Sequence, residues 1–342
     1  MIFVGNIYYM LAYAFRSLNI GGISNIGNEP FDNLHELFAE IVICATQRQL
    51  KRGLPRGYTI ESEELGNLRG KIDFLSSIRN QSQIRHRLVC EFDEFTEDTQ
   101  GNRTIKCAIT HLLRNSNVSP PRKHFLKFLH SSLGAVSDVQ YRPTPPQRSG
   151  GAGYVMLVNI CRFLLDGLLV KTGNGHKMLE WLSDEKMSGL YERFLLEYFK
   201  RHHPEFNPRS SGIEWDSEDI SPNMPGMKSD VYLTYGEKTL IIDAKFYNQT
   251  MSEYFGKKMY VSHNVYQIFT YVKNADKEKN GNVSGILLYA KTDEEITPDS
   301  DSTIGGNRIS VTTLDLSGKF EAIQSQLEMI AETLKNSVKV AV

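Results

Sequence analysis

The chain has no basic excess: 39 lysines and arginines face 40 aspartates and glutamates, a formal net charge of −1 over 342 residues. Neutralising phosphates supplies most nonspecific affinity for DNA, so tight stand-alone binding to nucleic acid is not expected. Cysteine is scarce. Cys44, Cys90, Cys107 and Cys161 are scattered without a Cys-x-x-Cys pair, which argues against a zinc module and for reduced, buried thiols. The nine histidines include the pair His202-His203, but adjacent helix residues do not share a face, and no zinc site is expected. No stretch approaches the roughly 18 consecutive apolar residues of a membrane span. The opening Met1-Ile2-Phe3-Val4-Gly5 lacks the basic region of a signal peptide, so a cytoplasmic protein without membrane contact is expected. A phosphate-binding Gly-x-x-x-x-Gly-Lys-Ser/Thr is missing too. Gly256-Lys257-Lys258 has neither the earlier glycine nor the hydroxyl residue, so the chain is not expected to hydrolyse nucleotide.

What the chain does have is concentrated between residues 228 and 245. Lys228-Ser229-Asp230-Val231-Tyr232-Leu233-Thr234-Tyr235 and Thr239-Leu240-Ile241-Ile242-Asp243-Ala244-Lys245 are two runs joined by Gly236-Glu237-Lys238, the pattern of a hairpin. Side chains alternate faces along a strand, so Asp243 and Lys245 point to one side. Folding the first run back brings Asp230 to the same patch. Carboxylate oxygens are the donors Mg²⁺ prefers, and an ammonium beside them can orient a nucleophile or stabilise developing charge. That combination suits phosphodiester hydrolysis, with Asp230 and Asp243 as metal ligands and the Ala244 carbonyl as a candidate third oxygen. Strand ends in Asp-x-Lys are common and usually solvated, but Leu240-Ile241-Ile242 is a continuous apolar run, so these charges sit where a core strand emerges.

Asp230 followed by Asp243-Ala244-Lys245 resembles the PD-(D/E)XK nuclease superfamily, with Ser229 standing where the motif's name puts proline. Downstream, Val265-Tyr266-Gln267-Ile268-Phe269-Thr270-Tyr271 is similar to the Gln-x-x-x-Tyr helix of the RecB-like branch; a spacing of four places Gln267 and Tyr271 on one helical face. Upstream, Lys186 to Phe199 has a helical apolar period and is closed by Pro204 and Pro208. Its Glu192 resembles the helix glutamate that supplements the metal site in related nucleases, and Glu197 competes for that role. The order helix, hairpin, helix, strand (Gly285 to Ala290) makes an α/β nuclease core.

The opening Asn6-Ile7-Tyr8-Tyr9-Met10-Leu11-Ala12-Tyr13-Ala14-Phe15 resembles McrC proteins, the nuclease subunits of McrBC modification-dependent restriction systems. So do Leu68-Arg69-Gly70-Lys71-Ile72-Asp73-Phe74 and the stretch Glu91 to Arg103. The resemblance implies a Mg²⁺-dependent endodeoxyribonuclease, with Mn²⁺ as a substitute. It implies two partners: a GTP-hydrolysing AAA+ ring of the McrB type, whose GTPase the chain would stimulate, and DNA bearing modified cytosine. Arg69, Lys71 and Arg103 are candidates for the ring contact. A catalytically silent regulator of an NTPase and a self-contained RecB-like repair nuclease remain as alternatives.

At this length two domains are expected. The Pro- and Gly-rich segment Tyr141 to Gly153 marks a linker. The expected division is therefore an α+β N-terminal docking domain at 1–153, and a helical connector with an α/β restriction-endonuclease-like PD-(D/E)XK core at 154–342. Within the first, Leu34 to Leu50 and Arg103 to Arg114 read as helices, and Tyr58 to Phe74 and Leu88 to Phe95 as strands. Tyr154 to Leu165 is apolar nearly all round and reads as a buried helix. Basic clusters at Gln47 to Arg52 and Ile78 to Arg87 read as solvated surface or as contact sites.

Overall fold

The computed structural model describes residues 4–15, 31–169, 184–217, 219–246, 251–254, 257–291 and 298–339. The chain divides into two compact units that do not follow chain order: Asp32–Leu169 forms one, and Met1–Phe31 with Val170–Val342 forms the other. The second unit begins with α1 (Val4–Ala14).

The Asp32–Leu169 unit opens with α2 (Leu34–Arg52), started by Asn33, whose side chain accepts a hydrogen bond from the Glu36 amide, the usual way to satisfy an orphaned first-turn N–H. A three-stranded antiparallel sheet follows, in the order β1 (Gly57–Leu65), β3 (Leu88–Thr96), β2 (Lys71–Ile72). The short helix α3 (Phe74–Arg79) lies between β2 and β3. The strand expected to run to Phe74 therefore breaks at Leu65: Asp73 accepts from the Ser76 amide and turns the chain into α3. Helices α4 (Gln100–Arg114), α5 (Pro120–Ser132) and α6 (Ala152–Leu169) complete the unit. Tyr154, Leu157, Val158, Cys161 and Leu164 of α6 are all buried. The helix packs on α2 and α4, and Tyr154 donates to Asn102 Oδ1 of α4 at 2.9 Å.

The expected cut at 153/154 is thus moved at both ends. Its physical reason is that α6 fills the core of α2 and α4, so it belongs with residues 32–169. Conversely, α1 packs with the C-terminal unit. Tyr9 stacks on Phe320 at 4.1 Å between ring centroids, Tyr13 meets Phe194 edge-on at 5.5 Å, and Asn6 donates to the carbonyls of Leu316 and Gly318.

That unit is a mixed α/β layer structure. After α7 (Asp184–His202) and a minor ribbon of β4 (Gly212–Ile213) and β5 (Met227–Lys228), the hairpin β6 (Val231–Tyr235) and β7 (Lys238–Lys245) enters the main sheet. A second ribbon, β8 (Met251–Tyr254) with β9 (Lys257–Tyr260), leads into α8 (Ser262–Ala275). Then come β10 (Val283–Ala290), β11 (Ser300–Ile304), β12 (Asn307–Leu314) and α9 (Phe320–Lys339). The sheet order is β11-β12-β10-β7-β6, with β7, β10 and β12 parallel and β6 and β11 antiparallel at the two edges. Helix α8 covers the face bearing Ile241, Leu287 and Val311. It sits close because Gly285 leaves room: a Cβ there would come within 2.7 Å of Ile268 and Val272 side chains. On the opposite face, a cavity of about 360 Å³ lies between Leu240, Ile286 and Leu288 of the sheet and Met329 and Leu334 of α9. Cys90 and Cys161 are buried as expected, whereas Cys44 and Cys107 are only half-buried.

Candidate active site

The β6–β7 hairpin turns on two residues, with Tyr235 paired to Lys238 and Gly236 in the left-handed region at φ 57°, the geometry a first-position glycine allows. Register then follows: Val231 opposes Ile242, so one step further Asp230 opposes Asp243 on the same face. β6 has not yet begun at Asp230, which leaves the edge of β7 unpaired at Ala244. The Asp230 carboxylate fills that gap, accepting the Ala244 amide at 2.8 Å. A strand residue's N–H and C=O point to the same edge, so the Ala244 carbonyl opens beside Asp230.

Ser229, in the place of the motif's proline, is fully buried and donates its amide to the Ser211 carbonyl at 2.9 Å, and Ser210 Oγ donates to the Ser229 carbonyl at 2.7 Å. Proline could not make the first bond. The substitution therefore anchors the strand that carries Asp230.

Lys245 Nζ lies 2.8 Å from Asp243 Oδ2, an ion pair on a carboxylate only 2% exposed, although Oδ2 receives no aligned hydrogen bond. The same ammonium donates to Gln267 Oε1 at 3.0 Å, and Gln267 Nε2 donates to Tyr271 Oη at 2.8 Å. The four-residue spacing on α8 thus makes a relay that ends on Lys245 of β7. Glu192 comes from α7 and is half-buried. Burial raises its pKa first, Asp243 adds to the rise, and Lys245 and Lys228 oppose it. Glu197 is elsewhere, paired with Lys200 at 3.0 Å. Of the two glutamates, the structure brings Glu192 to the cluster.

Burial, then the charge of Asp243, pushes Asp230 up to about 7, against the Ala244 hydrogen bond and Lys245. Burial also raises Asp243, opposed by Lys245 and His263. The charge of Asp243 raises both Asp230 and Glu192, a mark of crowded negative charge, which a divalent cation would relieve. Among the described residues no three His, Cys, Asp or Glu side chains form a ready-made metal cage. Mg²⁺, however, usually takes one or two carboxylates and fills its remaining positions with water and phosphate oxygen. Asp230, Asp243 and the Ala244 carbonyl fit that donor set. His263 and Lys228 were not singled out in the sequence. Their signals were present, since His263 precedes Gln267 by four residues and Lys228 precedes Asp230 by two, one same-face step on a helix and on a strand.

The candidates for a ring contact fare differently. Arg103 is locked to Asp98 through two bonds of 2.7 and 2.8 Å. Arg69 is paired with Glu94 and lies over the Phe92 ring at 3.8 Å. Lys71 is exposed opposite Glu91. His202 Nε2 sits 2.8 Å from Tyr13 Oη, while His203 lies between Glu205 and Glu328, so the pair faces different neighbours. Among the described residues no helix is long and apolar enough to cross a membrane.

Comparison with known proteins agrees with the sequence resemblance. A protein similar to this one, the type IV methyl-directed restriction enzyme EcoKMcrBC of Escherichia coli (strain K12), is 28% identical over 343 residues, covering 97% of this chain and 98% of that protein. Two solved structures show weaker likeness. One is a half-complex from the tetradecameric assembly of Thermococcus gammatolerans McrB AAA+ hexamers with bound McrC, with a TM-score of 0.48 and 15% identity over 95% of this chain and 76% of that one. The other is the cryo-EM structure of the T. gammatolerans McrBC complex, with a TM-score of 0.36 and 18% identity over 58% and 59%. The family model described as McrBC 5-methylcytosine restriction system component matches residues 6–290, most of the chain, and the chain belongs to that family.

Proposed function

We propose that this chain is the DNA-cutting subunit of a modified-cytosine-specific restriction complex, a Mg²⁺-dependent endodeoxyribonuclease whose C-terminal unit is a PD-(D/E)XK core. The observation that carries the reading is the convergence of Asp230, Asp243, Lys245 and Gln267 at one sheet edge. A bound divalent ion would supply an activated water and a polarised phosphoryl oxygen. Asp230, Asp243 and the Ala244 carbonyl would hold it, and Glu192 would add negative charge from α7. Lys245 stabilises charge developing on the phosphate, Gln267 aims the ammonium, and Tyr271 fixes the amide so that Oε1 faces the lysine. Asp243→Asn keeps the shape and removes the charge. Cleavage of modified duplex by the assembled complex is expected to fall to background while thermal stability stays the same or rises; undiminished cleavage would remove the proposal.

The partner in this proposal is a GTP-hydrolysing AAA+ ring of the McrB kind, docked on the Asp32–Leu169 unit and stimulated by it. An inverted strand pattern supports docking there. On β1 the alternation exposes Tyr58 and Ile60, each 75% exposed, and the paired Phe95 joins them, with the Tyr58 and Phe95 ring centroids 5.0 Å apart. Phe74, Leu75, Ile78 and Ile84 around α3 are exposed as well. Clustered apolar surface of this kind is usually covered by another protein.

A further inference from the structure

We infer that Lys228, Arg209 and His263 form a cationic rim that grips DNA backbone phosphates beside the carboxylate cluster, an inference that rests on the nuclease reading and deepens it. Lys228 and Asp230 share a face of the strand leading into β6, since the burial alternates from Met227 (in) through Lys228 (out) and Ser229 (in). Two residues on, the Tyr232 ring on that face carries the Arg209 guanidinium at 4.5 Å, and Arg209 is held there by paired backbone bonds with Tyr232 of 2.7 and 3.1 Å. Residues 209–212 run antiparallel along the outer edge of this track, Gly212 opposite Lys228 and Arg209 opposite Tyr232, which fixes the Arg209 side chain two residues from Asp230 on the same ribbon. His263 is exposed on α8, one turn before Gln267 and two before Tyr271, on the stripe that reaches Lys245. Among the described residues none of the three is in an ion pair with a carboxylate, whereas Arg56, Arg85, Arg103, Arg122, Lys277 and Arg308 all are. Three donors outside any close ion pair, around an acidic centre in a chain with no overall basic excess, are placed where phosphates flanking the reacting one would otherwise meet mainly carboxylate charge. Lys228 meets a phosphate as a point charge and Arg209 as a fork, and the imidazole offers an N–H donor.

The test measures affinity for a short fluorescent duplex, with Ca²⁺ replacing Mg²⁺, over a salt series. It compares the full chain with Lys228→Gln, Arg209→Gln, Arg209→Lys and His263→Ala, and with Lys319→Gln as a distant control. Each charge-removing substitution at 228 or 209 is expected to weaken binding several-fold and to reduce the slope of log affinity against log salt by about one. Arg209→Lys is expected to keep the slope, His263→Ala to weaken binding, and Lys319→Gln to behave as the unaltered chain. Unchanged affinity and slope in the rim variants overturn the inference, and so does an unaltered chain with no affinity for the duplex. A shift only in the Mg²⁺ concentration that half-saturates cleavage also overturns it, since the cations would then serve the carboxylates. Asp243→Asn run in parallel separates the two readings: if it still cuts, the nuclease reading fails whatever the rim variants do.

Discussion

At the scale of single residues the site stores electrostatic tension that a cation would release. Asp230 is pushed up from 3.8 to about 7, so the folded chain holds a proton that the unfolded chain gives up. Such a group stabilises the fold fully at low pH, and its contribution is lost as pH rises through about 7. Asp230→Asn is therefore expected to raise the melting temperature in EDTA at pH 8, by an amount that shrinks as the pH falls below 7. At about 1.4 kcal/mol per pKa unit, the upper bound is roughly 4 kcal/mol. Added Mg²⁺ should stabilise the unaltered chain more at pH 8 than at pH 6, and the Asn variant little at either. Lys245→Ala should lower the single-turnover rate by about 10²–10³ with little loss of DNA affinity. A large drop in melting temperature instead would assign the lysine to the Asp243 ion pair alone. The placement of Asp230, Asp243 and Lys245 together was legible in the chain, because it follows from strand alternation and a short turn. The choice of Glu192 over Glu197 was not, because both lie on an amphipathic helix whose rotation about its axis no local pattern fixes.

At the scale of elements, the strands and helices carrying the site were legible because each has a clear period: two for the hairpin, 3.6 for α7 and α8. What the sequence concealed was ownership. An all-round apolar helix such as α6 announces burial but not the partner that buries it, and a Pro- and Gly-rich stretch before it looked like the boundary. Burying eight or so large side chains at about 1.5–3 kcal/mol each matches or exceeds the net stability of a typical domain, about 5–15 kcal/mol, so α6 decides whether its unit folds. The fragment Asp32–Leu169 is expected to melt cooperatively, and a fragment ending at Gly153 to lose that transition. Circular dichroism with thermal melting checks both. The same reasoning applies to Gly285, whose missing side chain lets α8 approach the sheet. Gly285→Ala should push α8 outward and slow cleavage through loss of the Lys245–Gln267 bond.

At the scale of the whole molecule, docking and cutting are proposed for different units, so they should separate. The full chain alone is expected neither to hydrolyse GTP nor to cut DNA efficiently, and to cut when the ring partner and GTP are added; robust cutting of unmodified DNA without the partner would favour a self-contained nuclease. The fragment Asp32–Leu169 should raise the partner's GTPase rate without cutting. The position of α1 has an effect during synthesis. Along the chain this helix precedes the 32–169 unit, yet its resting place on α7, Leu316 and Phe320 is made of residues that follow that unit. The 32–169 unit can fold in between, while α1 waits with its apolar face uncovered. A nascent chain would thus complete the unit proposed to dock before the unit proposed to cut could close, so that an interrupted chain would carry a docking surface without a working site.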